Sequence, residues 1–410
     1  MKPEQKRWLV MAVGLVANVC QGMAYTSSVF MLPLGEALGR PRAEWSREWG
    51  FIFAMCLAFL PAGMLMSGKL ADYGKTRLTV ALGALLFGGG LFLAGFGTSV
   101  LWIAVTLGVM TSIGSGSAYG TVIGTMVRWF PDRRGLASGL AVAAVGVGPI
   151  ILAPIARSLE ASHGVMAMFK ILGVASFIAM GLAALYVTNP PEGYRPEGWT
   201  PPEPDARASR PPVENLAWRR MIGRGLFWLL YLAYIAGAFA GVLVSGLASP
   251  IAIELAGMTA SGATFAVMLF ALSNAGGRVL WGFLSDLAGR MRMLAVAFVL
   301  TAISMFILYW HVGTPGVYLP CLAAAGMCYG GVLGTFPSLN ADSFGIKHAA
   351  MNLAVLFTSF SVVAVIAPQV LAHYRNGGPA EYPKAFLAAG CVAVAGVILS
   401  ILIMGRKQRG

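Results

Sequence analysis

Long apolar stretches separated by short polar gaps dominate this 410-residue sequence. A stretch of about 20 apolar residues can cross a bilayer as a helix, and in lipid a helix satisfies its own backbone hydrogen bonds. The pattern therefore predicts an all-α membrane protein with twelve transmembrane helices. The predicted spans are residues 8–34, 48–70, 76–97, 100–128, 134–158, 165–188, 224–255, 261–287, 291–311, 316–340, 347–373 and 381–404.

An internal repeat divides these spans into two sets of six. GKLADYGKTR at 68–77 returns as GFLSDLAGRMR at 282–292, so that Asp72 and Asp286 lie 214 positions apart. A proline-rich, polar segment separates the two sets, as a linker would. Two related halves of six helices are one of the transporter layouts. The expected division is a bundle at 1–188, a cytoplasmic linker at 189–223 and a pseudo-symmetric bundle at 224–410.

The charges indicate orientation and exclude several classes of protein. The net charge is +13, but the basic residues lie in the gaps between apolar runs, which favours the positive-inside rule over nucleic-acid binding. We expect a plasma (inner) membrane protein with both termini cytoplasmic and its first span retained. The five cysteines lie in apolar runs without a CxxC pattern, so neither a disulfide framework nor a metal or cofactor site is expected. No Walker sequence appears, so transport driven by ATP is not supported, and no nucleophile–base arrangement indicates an enzyme.

Arg278 is the most informative single residue, because it stands in the middle of the predicted span 261–287. Such an arginine costs about 2.5–3.5 kcal/mol on insertion scales and normally faces a partner or a water-filled cavity. Asn274 lies four residues earlier, on the same helix face. No acidic residue falls in the central third of a predicted span. We therefore predict a carboxylate-binding site; the alternative is an arginine that only ties helices together through backbone carbonyls or a structural acid.

Aromatic and small polar residues complete the predicted substrate site. Tyr119 and Tyr329 stand midway along the fourth and tenth spans, where a phenol needs a hydrogen-bond partner. A substrate oxygen would serve, and a backbone carbonyl on a neighbouring helix is the alternative. Weaker candidates would form the wall around the short aliphatic part of the substrate. These are Tyr25, Ser28 and Phe357.

The repeated loop is predicted to control closure on the cytoplasmic side. Asp72 can accept hydrogen bonds from the N-terminus of a neighbouring helix, while Lys75 and Arg77 hold the turn at the interface. A plain charged turn is the alternative, and the second copy of the motif argues against it. The remaining residues predicted to belong to this gating motif are Asp286, Arg290 and Arg133.

These paired loops resemble the signature of the major facilitator superfamily, over essentially the whole chain. RWFPDRRGLASGLAVAAVGVGP at 128–149 and FPSLNADSFGIKHAAMNLAVLFTSF at 336–360 resemble the monocarboxylate transporters and the related oxalate/formate exchangers. In SNAGGR, Arg278 matches the arginine of the eighth helix. Asn274 stands where those transporters carry an aspartate, and Tyr25 stands where many carry a lysine. The proton-relay residues of the animal transporters are therefore not matched here.

Together these features predict a secondary active transporter for short monocarboxylates such as L-lactate or pyruvate. We expect proton-coupled symport by alternating access, in a protein that acts as a monomer. The nearest alternative is an oxalate/formate-type carboxylate exchanger, for which a second basic residue in the cavity would be expected. More distant alternatives are a multidrug exporter, which usually has an acidic residue in its cavity, and a membrane sensor, which usually has a soluble output domain.

Overall fold

The computed structural model describes residues 2–200, 214–245, 248–378 and 381–409, and helices account for nearly all of them. Ten of the described helices are long and apolar enough to cross a membrane. The helices are α1 (Pro3–Gln21), α2 (Ser27–Ala37), α3 (Arg42–Asp72), α4 (Thr76–Ala94), α5 (Val100–Ile103), α6 (Thr111–Trp129), α7 (Arg134–Tyr186), α8 (Trp218–Ile222), α9 (Gly225–Ser245), α10 (Ala248–Glu254), α11 (Ala260–Ala288), α12 (Arg290–His311), α13 (Pro315–Phe344), α14 (Ala349–Asn376) and α15 (Lys384–Arg409).

Helix α7 accounts for two of the predicted spans. It is 53 residues long and is interrupted at Gly164, where φ is 79° and ψ is 162°. Glycine reaches this backbone conformation without the steric cost that a Cβ imposes. The interruption lies in the predicted gap between 158 and 165. Together with the span formed by α1 and α2, it brings the described chain to twelve spanning segments, which confirms the predicted all-α membrane fold.

The first span is less regular than the sequence predicts. Instead of one helix over 8–34, α1 ends at Gln21, a 3₁₀ segment covers Gly22–Thr26, and α2 begins at Ser27. The irregular segment starts where the chain crosses α7 closely. A Cβ on Gly22 would lie 2.5 Å from the Cα atom of Gly148. The absence of both side chains allows the two backbones to touch at this crossing.

Two other spans depart from a simple α-helix. The predicted seventh span, 224–255, forms α9 and α10, with residues 246–247 outside the described part of the chain. The fourth span, Val100–Trp129, contains a π-helical turn at Ala104–Met110 between α5 and α6. The hydroxyl of Thr111 donates to the carbonyl of Thr106 at 2.8 Å and so satisfies an acceptor within the widened turn.

Contacts divide the chain into two compact units. Unit 1 comprises Met1–Asp132, Ala144–Trp199 and Ile346–Phe357, and unit 2 comprises Arg133–Ala143, Thr200–Gly345 and Thr358–Gly410. This differs from the division expected from the repeat in two short segments. The start of α7 belongs to unit 2, and the start of α14 belongs to unit 1.

Glycines bring corresponding helix pairs into backbone contact in the two units. In unit 1, a Cβ on Gly63 would lie 2.1 Å from the carbonyl oxygen of Ile113, so α3 and α6 touch there. In unit 2, a Cβ on Gly277 would lie 2.1 Å from the carbonyl oxygen of Met327, where α11 and α13 touch. Gly63 and Gly277 are separated by the same 214 positions as Asp72 and Asp286. The repeat seen in the loops therefore extends to the packing of the membrane helices.

Candidate functional site

Arg278 lies on α11 and is only 5% exposed. Its Nη1 atom donates to the carbonyl oxygen of Val142 at 2.6 Å, while its Nε atom is buried without a hydrogen-bond partner. Among the residues that the structure describes, no aspartate or glutamate forms an ion pair with it. The guanidinium is thus only partly satisfied, by one neutral acceptor on the backbone of α7.

The packing of α7 and α13 against α11 explains how Val142 reaches this cation. A Cβ on Gly139 would lie 2.3 Å from the carbonyl oxygen of Arg278, and one on Gly334 would lie 2.5 Å from the same atom. The hydroxyl of Ser138 also donates to the carbonyl of Gly334 at 2.8 Å. These contacts fix the first turns of α7 in unit 2 and place Val142, one turn further on, beside the guanidinium.

Asn274 and Tyr329 lie in the same part of unit 2. Asn274 is 6% exposed, and a Cβ on Gly330 would lie 2.0 Å from its carbonyl oxygen. Tyr329 is therefore adjacent in sequence to the closest contact between α13 and α11. Its ring is nearly parallel to that of Phe270, with a centroid distance of 6.4 Å. Arg278, Asn274 and Tyr329 thus all lie near the crossing of these two helices.

Tyr119 and Phe357 belong to unit 1. Both are buried, and their rings meet edge to face with centroids 5.8 Å apart. Phe357 is the last residue of the α14 segment that packs in this unit. The side chains of Tyr25 and Ser28, the two candidates on the first span, lie outside the part of the chain that the structure describes.

A buried polar cluster in unit 1 was not predicted from the sequence. The hydroxyl of Ser115 donates to Oε1 of Gln21 at 3.0 Å, and Nε2 of Gln21 donates to Oδ1 of Asn18, also at 3.0 Å. Ser115 lies one turn before Tyr119 on α6. The signal available was the pair of amide side chains within the first apolar stretch, since amides in lipid-exposed helices need internal partners.

Asp72 caps the start of α14. Its two carboxylate oxygens accept the backbone N–H groups of Ala350 and Met351, each at 3.0 Å, and the carboxylate forms an ion pair with Arg128. The Asp72 side chain is 4% exposed. Anions at a helix N-terminus are stabilised by the unsatisfied N–H groups and the helix dipole. We call this arrangement of Asp72, Arg128 and the amides of 350 and 351 the first cap.

Asp286 makes the equivalent arrangement in unit 2. It accepts the backbone N–H groups of Gly135 and Leu136 at 2.9 and 2.8 Å, near the start of α7. Its ion-pair partner is Arg290, one turn further along the chain, at 2.5 Å. We call this arrangement the second cap.

The two caps differ in the sign of one charge. Position 342 lies 214 residues beyond Arg128, and it holds an aspartate. Asp342 pairs with Arg290 at 3.0 Å and with Arg134 at 2.6 Å. The first cap therefore has one carboxylate and one buried arginine, whereas in the second Arg290 bridges two carboxylates. The remaining predicted gating residues are exposed at the surface; these are Lys75, Arg77 and Arg133.

Comparison with known proteins places this geometry in a family. The family described as Major Facilitator Superfamily matches residues 14–368. The oxalate:formate antiporter of Oxalobacter formigenes is 28% identical over 367 residues, covering 88% of this chain and 82% of the antiporter. Human monocarboxylate transporter 11 is 24% identical over 404 residues, covering 96% of this chain and 82% of that protein. The uncharacterized MFS-type transporter YhjX of Escherichia coli is 25% identical over 364 residues, covering 88% of this chain and 87% of YhjX.

Solved structures share the fold at lower sequence identity. The MFS transporter FucP in the outward conformation superposes with a TM-score of 0.70 at 16% identity, over 97% of this chain and 99% of FucP. The proton:xylose symporter XylE superposes with a TM-score of 0.72 at 15% identity, over 96% of this chain and 95% of XylE. These neighbours are transporters rather than enzymes, in agreement with the sequence prediction.

Proposed function

We propose, starting from the fact that this chain belongs to the Major Facilitator Superfamily, that it carries short-chain monocarboxylates such as L-lactate and pyruvate across the membrane. The observation that supports this substrate class is the buried guanidinium of Arg278, whose one hydrogen bond in the described structure goes to a backbone carbonyl. A buried cation held by neutral groups alone is costly, and an anion that arrives from solution relieves that cost.

The geometry of Arg278 suits a carboxylate. Nη1 is engaged by Val142, and Nε is buried without a partner. The edge formed by Nε and Nη2 can donate two parallel hydrogen bonds to the two oxygens of one carboxylate, which is the strong bidentate form of this interaction. A carboxylate could bind there while Nη1 keeps the Val142 carbonyl, so binding would not require the α7 contact to break.

The other candidate residues have roles consistent with their positions. Asn274, one turn before Arg278, would orient the guanidinium or bond the 2-hydroxyl of lactate. Tyr119 and Tyr329 would contact the polar side of the substrate. The residues proposed to surround its short aliphatic part are Tyr25, Ser28 and Phe357.

Protons are proposed to travel with the substrate. Asp72, Asp286 and Asp342 lie at or near helix ends in the caps, and each carboxylate is paired with an arginine. A proton bound to the substrate carboxyl, or carried by water, would need no acidic relay in the helices. Uptake of labelled L-lactate into proteoliposomes with an imposed pH gradient tests this coupling. Uptake that follows substrate speciation alone would exclude symport.

The caps are proposed to lie on the cytoplasmic side, with both termini, in a monomeric protein of the inner membrane. The excess of Lys and Arg in the loops that carry the caps supports this orientation. In alternating access, the starts of α7 and α14 would separate from Asp286 and Asp72 whenever the cytoplasmic side opens. Labelling of single cysteines placed at either terminus, from each side of the membrane, tests the orientation.

Exchange of carboxylates is the second candidate, and the 28% identity to an oxalate:formate antiporter favours it. A dicarboxylate carries two charges, and a second buried cation would be expected to receive the second one. Arg278 is the one arginine predicted at mid-membrane depth, so we favour monocarboxylates.

Counterflow in proteoliposomes separates the candidates. Liposomes loaded with unlabelled L-lactate should accumulate labelled lactate, and external lactate, pyruvate, formate or oxalate should be added as competitors. A monocarboxylate carrier should be inhibited by lactate and pyruvate in preference to oxalate. Preferential inhibition by oxalate would favour the exchanger, and no inhibition by any of these acids would exclude the whole substrate class.

A further inference from the structure

The residues that follow α7 do not leave unit 1 at once. Three consecutive residues are tied to three different helices, and we call the segment 187–199 the strap. The carbonyl of Val187 accepts the hydroxyl of Thr76 at 3.0 Å, and the carbonyl of Thr188 accepts the indole N–H of Trp129 at 2.5 Å. Nδ2 of Asn189 then donates to the carbonyl of Ala71, next to Asp72, at 3.2 Å.

Asn189 also contacts the arginine of the first cap. Its Oδ1 atom accepts a hydrogen bond from Nη1 of Arg128 at 3.1 Å. The rest of the same guanidinium faces the start of α14: Nε donates to the carbonyl of Ile346 at 3.1 Å, and Nη2 donates to the carbonyl of Lys347 at 3.2 Å and pairs with Asp72. Asn189 therefore binds Nη1 of Arg128, while Nε and Nη2 bind the start of α14 and Asp72.

A second anchor holds the strap further along. The ring of Tyr194 meets that of Trp129 edge to face, with centroids 5.0 Å apart, and Trp129 is fully buried. The Tyr194 hydroxyl donates to Oε1 of Glu4 at 2.8 Å, and the backbone N–H of Glu197 donates to the same oxygen at 3.0 Å. Glu4 is in turn paired with Arg7 at 3.0 Å. The N-terminal helix thus secures the strap against the end of α6.

Burial and the hydrogen bond to Glu4 together raise the pKa of Tyr194 to about 12. The phenol therefore remains a donor to Glu4 throughout the neutral range.

We propose that the strap is a positioning element of the transport cycle: Asn189 preorganises Arg128, and the strap thereby sets how often the first cap opens. Arg128 has a long, flexible side chain, and holding it in one geometry costs side-chain entropy. The bond to Asn189 fixes it before it meets the carbonyls of 346 and 347. When the start of α14 separates from Asp72, Arg128 loses those two carbonyls but keeps Asn189. Weakening the strap should therefore favour the open form of the first cap.

The proposal depends on the family's transport cycle but not on which acid is carried, and its test needs no substrate. Hydrogen–deuterium exchange of the full-length protein in lipid, read by mass spectrometry, reports the amides of Ala350 and Met351. Asn189→Ala should speed their exchange by about five- to tenfold, because the flexible Arg128 side chain must then be ordered each time the cap closes. Tyr194→Phe, a milder change that removes only the hydroxyl, should speed it by about two- to fivefold. Peptides from the start of α7, which belongs to unit 2, should be unchanged in both variants.

Glu192→Gln is the matched control, because Glu192 lies in the strap but is exposed to solvent. It should leave exchange at 350 and 351 at the wild-type rate. If Asn189→Ala and Tyr194→Phe speed exchange within the strap itself but leave these two amides unchanged, the strap only covers the end of the bundle and the proposal is wrong. A failure of lactate transport with the expected exchange pattern would instead count against the proposed substrate and leave the strap in place.

Discussion

Replacing the central carboxylate of each cap by its amide should have unequal effects. Asp72→Asn and Asp286→Asn each keep one acceptor for the backbone N–H groups but remove the charge. In the first cap, Arg128 then loses its carboxylate partner, within a site where the two side chains are 9% and 4% exposed. In the second cap, Arg290 still has Asp342 at 3.0 Å. We therefore expect Asp72→Asn to open its cap much more readily than Asp286→Asn.

The magnitudes follow from the bonds that each change weakens. In both variants one charge-assisted N–H bond becomes a neutral one and the other N–H group loses its acceptor atom, a loss of roughly 1–2 kcal/mol in total. Asp72→Asn also leaves a buried arginine without its anion, although carbonyls and Asn189 still receive its donors, which brings the loss to about 3 kcal/mol. On the scale of about 1.4 kcal/mol per tenfold, the first cap should open about 100-fold more often and the second about tenfold.

Hydrogen exchange at moderate and high salt measures both caps in one sample. The amides of 350 and 351 report the first cap, and those of 135 and 136 report the second. In the wild type, salt should speed exchange at the second cap more, because its ion pairs are 13–28% exposed and are better screened. Equal acceleration in the two variants, or a larger effect of Asp286→Asn, would refute the argument from burial and retained partners.

Three further changes test separate parts of the structure. Gly164→Ala places a Cβ at φ 79° and should lower the free energy of unfolding by about 1–2 kcal/mol, measured by thermal unfolding in detergent. Gly181→Ala is the control, because a Cβ on Gly181 would meet no atom within 4 Å. Tyr329→Phe should slow lactate counterflow by less than about tenfold, because it removes one neutral hydrogen bond and keeps the ring against Phe270; complete loss would contradict this. Although burial tends to raise the pKa of Glu4, bonds from Glu197 and Tyr194 and the charge of Arg7 outweigh it and lower the pKa. The stability that Glu4 contributes is then fully present above its pKa in the unfolded state, and it is lost as the pH falls through its lower pKa in the folded state. Glu4→Gln should therefore melt below the wild type by a constant amount from about pH 7 to 5, and this difference should shrink below about pH 4.

The architecture could be predicted because its signals are local. The hydropathy of each apolar stretch predicts its own span. The two halves are recognised because the short motif around Asp72 returns around Asp286. The breaks within spans could not be predicted in this way. The 3₁₀ segment after Gln21 begins where the chain crosses α7 at Gly148, more than 100 residues away in sequence. The residues around Gln21 alone do not predict a contact with so distant a part of the chain.

The candidate site shows the same limit. The depth of Arg278 follows from its place in an apolar stretch, but its partner is the backbone carbonyl of Val142. Every residue carries such an acceptor, so no sequence pattern could identify it. The sequence prediction left this alternative open, and the structure gives the guanidinium one carbonyl partner without occupying its Nε atom.

The caps were only partly visible in the sequence. The repeated loops contain Asp72 and Asp286, whereas Arg128 lies outside them, near the end of α6. Comparison of positions 128 and 342 across the repeat would have revealed the reversal of charge from Arg128 to Asp342. What that reversal does depends on Arg134 and Arg290, which reach Asp342 only in the folded unit.

Direct binding of L-lactate to the purified protein, followed by calorimetry, tests the role of Arg278 without depending on transport. Arg278→Gln should weaken binding at least 100-fold, the cost of breaking a buried charge pair of about 3 kcal/mol or more. Arg292→Gln, which neutralises an exposed arginine on α12, should bind like the wild type. Binding by Arg278→Gln within about threefold of the wild type, in protein that keeps its helical content, would contradict the assignment of this arginine to the substrate carboxylate.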